Sequence, residues 1–368
     1  MKKIIVAPDS FKGSLSAKQV ADIIADEIAA SYPDCTIVKI PIADGGEGSV
    51  EAIIAAVGGR IEEAQVLSPD ERQIPASFGV TGNGQAVLEM AQSSGLTRQI
   101  GLHPMTASTY GFGQLILRSL DLGLRDFFLC LGGSATTDGG CGMAAALGVE
   151  FLDNSGKSFV PNGATLKDIA HMDISGIDKR VQASSFTVLC DVDNPLFGSN
   201  GAAYVYGPQK GADPTQVHTL DLGLRHLSSI ALKVLGNDYA HIPGDGAAGG
   251  LGFGCMAFLQ AHQVSGINAI LELSSFKKHL PGADLIITGE GKLDSQSFSG
   301  KALSGILQSA GPVPVISICG VCNAEESLLR SHNLIVFETS EGVSAKESLN
   351  NPEKYLRLAI KRAMKRLD

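Results

Sequence analysis

The chain has 368 residues, of which 18% are charged and 44% are hydrophobic. This balance excludes a disordered chain, and the length predicts about two or three domains. A net charge of −9 argues against a nucleic-acid partner or an anionic membrane surface. No run approaches the ~18 apolar residues of a membrane span, and Pro8 interrupts the N-terminus before a signal-peptide core forms. We therefore expect a cytoplasmic enzyme.

The first predicted element is a buried strand, Lys3–Ala7, and a polar loop containing one glycine follows it. Ser16 and Gln19 then form a capping box, which predicts the start of a helix. A strand, a polar loop and a helix N-terminus in this order build an anion site at the carboxyl edge of a parallel sheet. The candidate ligand-binding residues of this loop are Asp9, Ser10 and Lys12.

The second predicted strand, Thr36–Ile40, leads into the acidic, glycine-rich loop Ala43–Ser49. Asp44 and Glu47 stand among glycines that permit close approach of a ligand. Carboxylates at the start of a helix can also simply favour the helix dipole. The position of these acids after a second strand of the same sheet favours the functional interpretation.

A long insertion, from about residue 69 to 281, breaks this pattern. Ala76–Val80 and Ala86–Met90 are predicted to form a hairpin around a glycine-containing turn. Further strands are predicted at Asp126–Leu131, Val149–Asp153, Thr187–Val192 and Ala202–Tyr206. Helical patterns lie near residues 106–122, 164–172, 214–235 and 266–279.

Three loops of the insertion carry groups suited to binding or catalysis. Residues 132–140 offer backbone N–H groups and the hydroxyls of Ser134, Thr136 and Thr137, which suit phosphate oxygens. Asp191 and Asp193 follow another apolar strand, in an arrangement suited to Mg²⁺ or a hydroxyl group. The tight turn at residues 207–211 presents a single lysine, Lys210.

The last three predicted strands, Asp284–Thr288, Val313–Ile318 and Leu334–Glu338, resume the βαβ pattern. The first of them is predicted to lead into a loop with Glu290, Lys292 and Asp294. Right-handed crossovers would place the five strands of the two chain ends in one parallel sheet with the order 2-1-3-4-5. The predicted fold class is therefore α/β, flavodoxin- or Rossmann-like, with a second mixed α/β domain inserted.

The predicted domain boundaries follow from this pattern. Residues 1–68 and 282–368 would form the discontinuous Rossmann-like domain, and residues 69–281 the inserted domain. Two such domains leave a cleft between them, where a bisubstrate active site is expected.

Taken together, the loop motifs resemble the bacterial glycerate kinase family, in order and essentially end to end. The segments that carry the resemblance are Ala7–Ser14, Asp44–Gly48, Gly132–Gly140, Asp191–Pro195, Gly207–Gly211 and Gly289–Asp294. The resemblance implies ATP-dependent phosphorylation of D-glycerate with Mg²⁺. It also implies a Rossmann-like domain with a second α/β domain, and 2-phosphoglycerate rather than 3-phosphoglycerate as the favoured product.

Roles within the predicted site are hypotheses from chemistry, because phosphoryl transfer needs charge neutralisation, alignment and a proton acceptor. Asp191 would accept the proton of the attacked hydroxyl. Asp193 or Asp44 would hold Mg²⁺, and Lys12 and Lys292 would steady the γ-phosphate. The candidates for binding substrate or nucleotide are Asp9, Ser10, Asp44, Glu47, Gly132, Gly133, Ser134, Thr136, Thr137, Lys210, Glu290 and Asp294.

Two alternatives remain open at this point. Residues 140–145 fit the G-x-G-x-x-A pattern of an NAD(P)-dependent small hydroxy-acid dehydrogenase, although the motif lies well past the preceding strand rather than at its turn. The second alternative is a non-catalytic protein that binds a small carboxylate. Against it, the predicted loops carry more acids and lysines than such binding needs. The choice between monomer and homodimer also stays open.

Overall fold

The structure is a computed structural model that describes residues 1–43, 45–298 and 302–367. Contacts between residues divide the chain into two compact units. The first unit comprises residues 1–44, 51–58 and 265–368, and the second comprises residues 45–50 and 59–264.

The strands are numbered in chain order within the described residues. They are β1 (Lys3–Val6), β2 (Thr36–Lys39), β3 (Gly59–Leu67), β4 (Gln73–Thr81), β5 (Ala86–Glu89), β6 (Asp126–Cys130), β7 (Glu150–Leu152), β8 (Ser158–Phe159), β9 (His171–Asp173), β10 (Ser185–Leu189), β11 (His262–Val264), β12 (Leu285–Leu293), β13 (Val315–Cys322) and β14 (Ile335–Glu338).

The α-helices are numbered in the same way. They are α1 (Ala17–Ser31), α2 (Ser49–Val57), α3 (Met90–Ser94), α4 (Tyr110–Asp121), α5 (Cys141–Ala146), α6 (Lys179–Gln182), α7 (Ala202–Tyr206), α8 (Pro214–Leu235), α9 (Ala247–Leu259), α10 (Gly266–Leu273), α11 (Phe276–His279), α12 (Ala302–Ser309), α13 (Glu326–Ser331), α14 (Ala345–Asn350) and α15 (Pro352–Leu367). Among the described residues, no helix combines the length and the apolar character that crossing a bilayer requires.

The first unit is built on a five-stranded parallel sheet with the order β14-β13-β12-β1-β2. When these five strands are numbered 1 to 5 along the chain, their order across the sheet, read from β2 to β14, is 2-1-3-4-5. The predicted fold class and strand order are therefore confirmed. Strand residues such as Ile5 and Ile286 are fully buried, as expected for strands covered on both faces. Helix α1 begins at the predicted capping box, where Ser16 and Gln19 exchange both hydrogen bonds.

The second unit contains a six-stranded mixed sheet with the order β11-β10-β6-β5-β4-β3. Strands β5, β6, β10 and β11 run parallel, so their carboxyl ends lie at one edge. The predicted hairpin is confirmed by the antiparallel pairing of β4 with β5. A small antiparallel sheet, β8-β7-β9, accompanies it.

Several local predictions are wrong. Ala202–Tyr206 is the helix α7 rather than a strand, and residues 164–172 form a short 3₁₀ turn and the start of β9 rather than a helix. Strand β3 was not predicted; it pairs along its whole length with β4 in the sheet of the second unit. By its contacts the chain changes unit at residues 44/45, 50/51, 58/59 and 264/265. The domain boundaries at 68/69 and 281/282 stay a prediction.

Candidate active site

In the second unit, residues 45–50 lie across the carboxyl ends of β10 and β6. Gly45 is so close to β10 that an added Cβ would lie 2.9 Å from Leu189 O. Just past β6, Gly132 N donates to Gly45 O over 3.0 Å. An added Cβ at Gly132 would in turn lie 2.5 Å from Gly46 Cα. These approaches require glycine, because any side chain at those positions would overlap backbone atoms.

The same loop reaches the carboxyl end of β5 through Glu89. Glu89 is fully buried, and its Oε1 and Oε2 accept the N–H groups of Gly48 (3.0 Å) and Val50 (3.3 Å). Burial raises the pKa of Glu89, and the carboxylate of the exposed Glu47 acts in the same direction. The loop that carries Glu47 therefore crosses the carboxyl ends of β10, β6 and β5, which are neighbours in the sheet in that order.

The loop at residues 132–140 is held from inside the unit by Lys210. This lysine is 1% exposed, and its Nζ donates to Ser134 Oγ (2.8 Å) and Thr136 O (2.7 Å). Burial lowers the pKa of Lys210 to about 7. The structure thus places this predicted binding residue behind the loop, with two of its Nζ hydrogens directed at the loop itself.

The hydroxyls of Thr136 and Thr137 are enclosed in the same loop. Both residues are fully buried, and among the described residues neither Oγ1 has a hydrogen-bond partner. Gly133 is exposed with φ +79°, a left-handed conformation that glycine adopts without strain. The loop therefore encloses two hydroxyl oxygens that are unpaired within the described part of the chain, and a binding role for them stays a prediction.

Asp138 organises the end of the loop, a role that the sequence did not predict. Its buried carboxylate accepts the backbone N–H and the hydroxyl of Thr109 (both 2.8 Å) and the N–H groups of Gly140 (3.1 Å) and Gly142 (3.2 Å). Burial raises the pKa of Asp138. The N–H groups that a dinucleotide pyrophosphate would use in the G-x-G-x-x-A pattern are therefore occupied by a carboxylate of the chain itself.

Carboxylates surround the end of β10. Asp191 is half-buried and Asp193 is exposed. Burial raises the pKa of the adjacent Cys190 thiol to about 11, and the carboxylates of Asp191, Asp193 and Asp245 add to that rise. The predicted pair of acids therefore lies at the same sheet edge as the two loops described above, with Asp245 as a third acid.

Asp245 was not predicted as a site residue. It is fully buried; Oδ2 accepts the N–H of Ile242 (2.7 Å), while Oδ1 has no hydrogen-bond partner among the described residues. Burial raises the pKa of Asp245 to about 7. The backbone next to it is tied to the acidic segment, since Gly246 N donates to Asn194 O over 2.9 Å.

Within the described residues, no group of three or more His, Cys, Asp or Glu side chains forms a metal site. Mg²⁺ that arrives with a nucleotide needs only one or two protein carboxylates, because phosphate oxygens and water complete its coordination. Asp191 and Asp193 fit that requirement by residue type and by their position at the sheet edge. Asp44, the other predicted ligand, lies outside the described residues.

In the first unit, the loop after β1 packs along β12. Asp9 N donates to Gly289 O over 2.8 Å, and an added Cβ at Gly291 would lie 3.2 Å from Lys12 N. The Asp9 carboxylate accepts the N–H of Ser10 over 2.6 Å, and Lys12 is exposed. The predicted residues of this loop therefore lie beside the glycines of β12.

The segment predicted as a loop after that strand is strand. Residues 289–293 continue β12 and pair with β13, with Glu290 opposite Cys319. Glu290 Oε2 accepts the hydroxyl of Ser297 over 2.9 Å, and Lys292 Nζ lies 3.0 Å from Asp294 Oδ2. Alternation along the strand places consecutive side chains on opposite faces.

The structure thus gathers the predicted residues into two groups, one in each unit. The first unit holds Asp9, Ser10, Lys12, Glu290, Lys292 and Asp294, and the second holds Glu47, Gly132, Gly133, Ser134, Thr136, Thr137, Asp191, Asp193 and Lys210. That both groups serve one active site stays a prediction. The sequence analysis did not predict a role for Glu89, Asp138 or Asp245. The pattern that could have indicated them is an acid at the end of an apolar strand or next to a glycine.

Comparison with known proteins gives consistent matches. The model of the glycerate kinase family matches residues 4–368. The glycerate kinase of Bacillus subtilis (strain 168) is 43% identical over 337 residues, covering 90% of this chain and 88% of that protein. The glycerate 2-kinase of Escherichia coli (strain K12) is 41% identical over 337 residues, again 90% and 88%. A crystal structure described as glycerate kinase 2 from Salmonella typhimurium LT2 has a TM-score of 0.87 at 37% identity, covering 100% of this chain and 98% of that one.

Proposed function

The chain belongs to the glycerate kinase family, and on this premise we propose that it transfers the γ-phosphoryl group of ATP to D-glycerate with Mg²⁺. The observation that carries the proposal is the edge of the second sheet. There the loop with Glu47, the hydroxyl-rich loop at residues 132–140 and the acids after β10 meet at the ends of three adjacent parallel strands. Ligands of α/β proteins bind at such carboxyl edges.

Asp191 is our candidate for the proton acceptor. It follows β10 at this edge and is half-buried, so its carboxylate combines partial desolvation with access to solvent. A carboxylate that receives the hydroxyl proton of the acceptor is the general-base element of phosphoryl transfer in many kinases. Asp193, two residues further and exposed, would hold Mg²⁺, which neutralises phosphate charge when bound.

The phosphate groups require donors and cations as well. We propose that Thr136, Thr137 and the backbone of residues 132–140 hold phosphate or carboxylate oxygens, with Lys210 supporting the loop from inside. In the first unit the exposed ammonium groups of Lys12 and Lys292 are candidates for steadying the γ-phosphate. The remaining predicted residues stay candidates for substrate or nucleotide contact.

The acceptor oxygen is proposed to be the 2-hydroxyl. The support is the Escherichia coli relative at 41% identity, which is a glycerate 2-kinase. The two hydroxyls of glycerate lie on adjacent carbons, so the choice depends on small differences in substrate placement. Chemistry of the product therefore has to decide it.

The test is the proton-coupled phosphorus NMR spectrum of the product formed from D-glycerate, ATP and Mg²⁺. A phosphate on C2 couples to one proton and gives a doublet, whereas a phosphate on C3 couples to two protons and gives a triplet. We expect glycerate-dependent ADP formation and a doublet. A triplet would overturn the regiochemistry alone, and no glycerate-dependent ADP formation would overturn the activity.

The competing dehydrogenase is tested in parallel by fluorescence titration with NADH. We expect no saturable binding, because Asp138 already occupies the N–H groups of Gly140 and Gly142. Binding of NADH tighter than that of ATP with Mg²⁺ would favour the dehydrogenase instead.

A further inference from the structure

Glu89 is a fully buried acid whose carboxylate is directed at backbone rather than at solvent. Its two oxygens accept the N–H groups of Gly48 and Val50. An isolated carboxylate is expensive to bury, and the hydrogen bonds to its charged form offset part of that desolvation cost. An acid at the last residue of β5 is therefore explained by the backbone N–H groups that its carboxylate accepts.

What it holds is the loop that crosses the sheet edge. Gly48 and Val50 flank Ser49, which is itself fully buried and whose hydroxyl donates to Gly46 O over 2.6 Å. Gly48 has φ +90°, so the chain turns sharply between Glu47 and the start of α2. Two hydrogen bonds from the N–H groups of alternate residues to one carboxylate hold both the path and the orientation of this turn.

From this geometry we propose that Glu89 is a positioning residue of the phosphoryl-transfer site. Its carboxylate sets the conformation of residues 45–50 and so holds Glu47 at the edge where β5, β6 and β10 end. The inference rests on the proposed function for its effect on activity. Its effect on the loop can be measured without any substrate.

The informative substitution is Glu89→Gln, which keeps the size of the side chain. The amide offers one acceptor oxygen and one NH₂ group, so it can replace only one of the two hydrogen bonds and sets a donor against the other N–H. Glu62→Gln is the matched control, because Glu62 is an acid of β3 in the same sheet that pairs with Arg60.

The first measurement is hydrogen exchange of the full chain without substrate, read by mass spectrometry on a peptide that spans residues 45–50. We expect faster exchange in E89Q than in the wild type, and wild-type exchange in E62Q. Unchanged exchange in E89Q would overturn the positioning role. Where E89Q does not fold, Glu89→Asp, which keeps the charge and both acceptors, carries the same measurement.

The second measurement is steady-state kinetics with D-glycerate, ATP and Mg²⁺. We expect kcat/KM of E89Q to fall on the order of 100-fold, because a misplaced loop displaces groups around the reacting atoms. A role exerted through Glu47 also predicts that Glu47→Ala adds little further loss in the E89Q background. Independent, multiplying losses would show that Glu89 acts on activity by another route and would overturn the inference.

The two proposals fail in different ways. An enzyme that forms no ADP with glycerate would refute the proposed reaction, and the exchange of residues 45–50 would still decide the role of Glu89. An active enzyme whose E89Q variant retains wild-type kcat/KM and wild-type exchange would refute the positioning role and leave the proposed reaction standing.

Discussion

Lys210 donates from Nζ to Ser134 Oγ over 2.8 Å, although 76 residues separate them in the chain. The lysine lies at the end of a short 3₁₀ turn, Pro208–Lys210, and is 1% exposed. A second hydrogen bond, to Thr136 O, fixes the loop at two points. A buried lysine thus supports the hydroxyl-rich loop from behind.

Replacing Lys210 by methionine should change how stability depends on pH. Burial lowers the pKa of Lys210 from 10.5 to about 7, so between pH 7 and 10 the unfolded chain binds a proton that the folded chain lacks. Stability of the wild type therefore rises with pH across that window, by at most about 1.4 kcal/mol per pH unit from this group. K210M should lack this rise.

The measurement is urea unfolding of both proteins at pH 7, 8 and 9. Lys167→Met, at an exposed lysine of the same unit, is the control and should follow the wild type. Equal pH dependence in the wild type and K210M would contradict a buried lysine of lowered pKa.

Asp245→Asn should give the opposite dependence. Burial raises the pKa of Asp245 from 3.8 to about 7, so between those values the folded chain holds a proton that the unfolded chain has lost. The stability of the wild type consequently falls as pH rises from about 4 to 7, by at most about 1.4 kcal/mol per pH unit from this group. Asparagine keeps the acceptor for Ile242 N and carries no charge.

We therefore expect D245N to gain stability on the wild type as pH rises, with the largest advantage at pH 8 and the smallest at pH 5. Chemical unfolding at the two pH values measures the difference. A constant difference at both would show that the Asp245 carboxyl does not titrate in this window.

The arrangement of the first sheet could be predicted from the sequence, because short continuous apolar runs such as Ile4–Val6, each followed by a helical pattern, are typical of a covered parallel sheet. Helix α7 shows where the local sequence pattern predicts the wrong secondary structure. Its residues, Ala202–Tyr206, include β-branched and aromatic types that favour strands, yet Val205 N donates to Gly201 O in a helical turn. Ala202 and Ala203 are fully buried in this helix, and such burial depends on elements that are distant in the chain.

Some residues of the candidate site could likewise be predicted from the sequence, and others could not. Loops at strand ends could be recognised from residue types, and Asp191 follows β10 as the pattern indicated. Asp138 could not be recognised, because its partner Thr109 lies 29 residues away and nothing in either segment indicates the contact. Lys210 was recognised as important, but its direction, inward rather than toward solvent, depends on tertiary packing.

Gly249→Ala should be strongly destabilising. Gly249 has φ +69°, and an added Cβ would lie 1.9 Å from Thr136 O, so the loop at residues 132–140 would have to move. Gly236→Ala is the matched control, because Gly236 ends α8 at φ +76° with open space around it. The control should lose about 1–2 kcal/mol from the left-handed backbone alone.

We expect the free energy of unfolding of G249A to fall further than that of G236A, and its kcat/KM to fall while that of G236A does not. Urea unfolding and steady-state kinetics check the two parts. Equal destabilisation of the two variants would mean that the loop at residues 132–140 moves away from the added Cβ without loss of folding free energy.

Asp193→Asn should weaken the dependence of activity on the metal. An amide oxygen is a poorer ligand for Mg²⁺ than a carboxylate, so more Mg²⁺ should be needed for half-maximal activity. Titration of activity with MgCl₂ at fixed ATP measures the shift. An unchanged titration would assign the metal to other groups, and removal of Mg²⁺ by EDTA should abolish activity in both proteins.

Asp191→Asn should remove the proton acceptor without disturbing the fold. The amide has nearly the same shape but cannot take up a proton, so we expect kcat to fall on the order of 100- to 10,000-fold. Binding of ATP, measured by calorimetry with Mg²⁺, should stay close to that of the wild type. Asp126→Asn is the control, because Asp126 is exposed at the first residue of β6, on the opposite edge of the same sheet.

The control should keep the kcat of the wild type. Near-normal turnover of D191N would exclude Asp191 as the base, whereas loss of ATP binding together with activity would assign it to the nucleotide or its metal. A pH–rate profile separates these cases further, since removing the base should abolish the acidic limb of kcat rather than shift it.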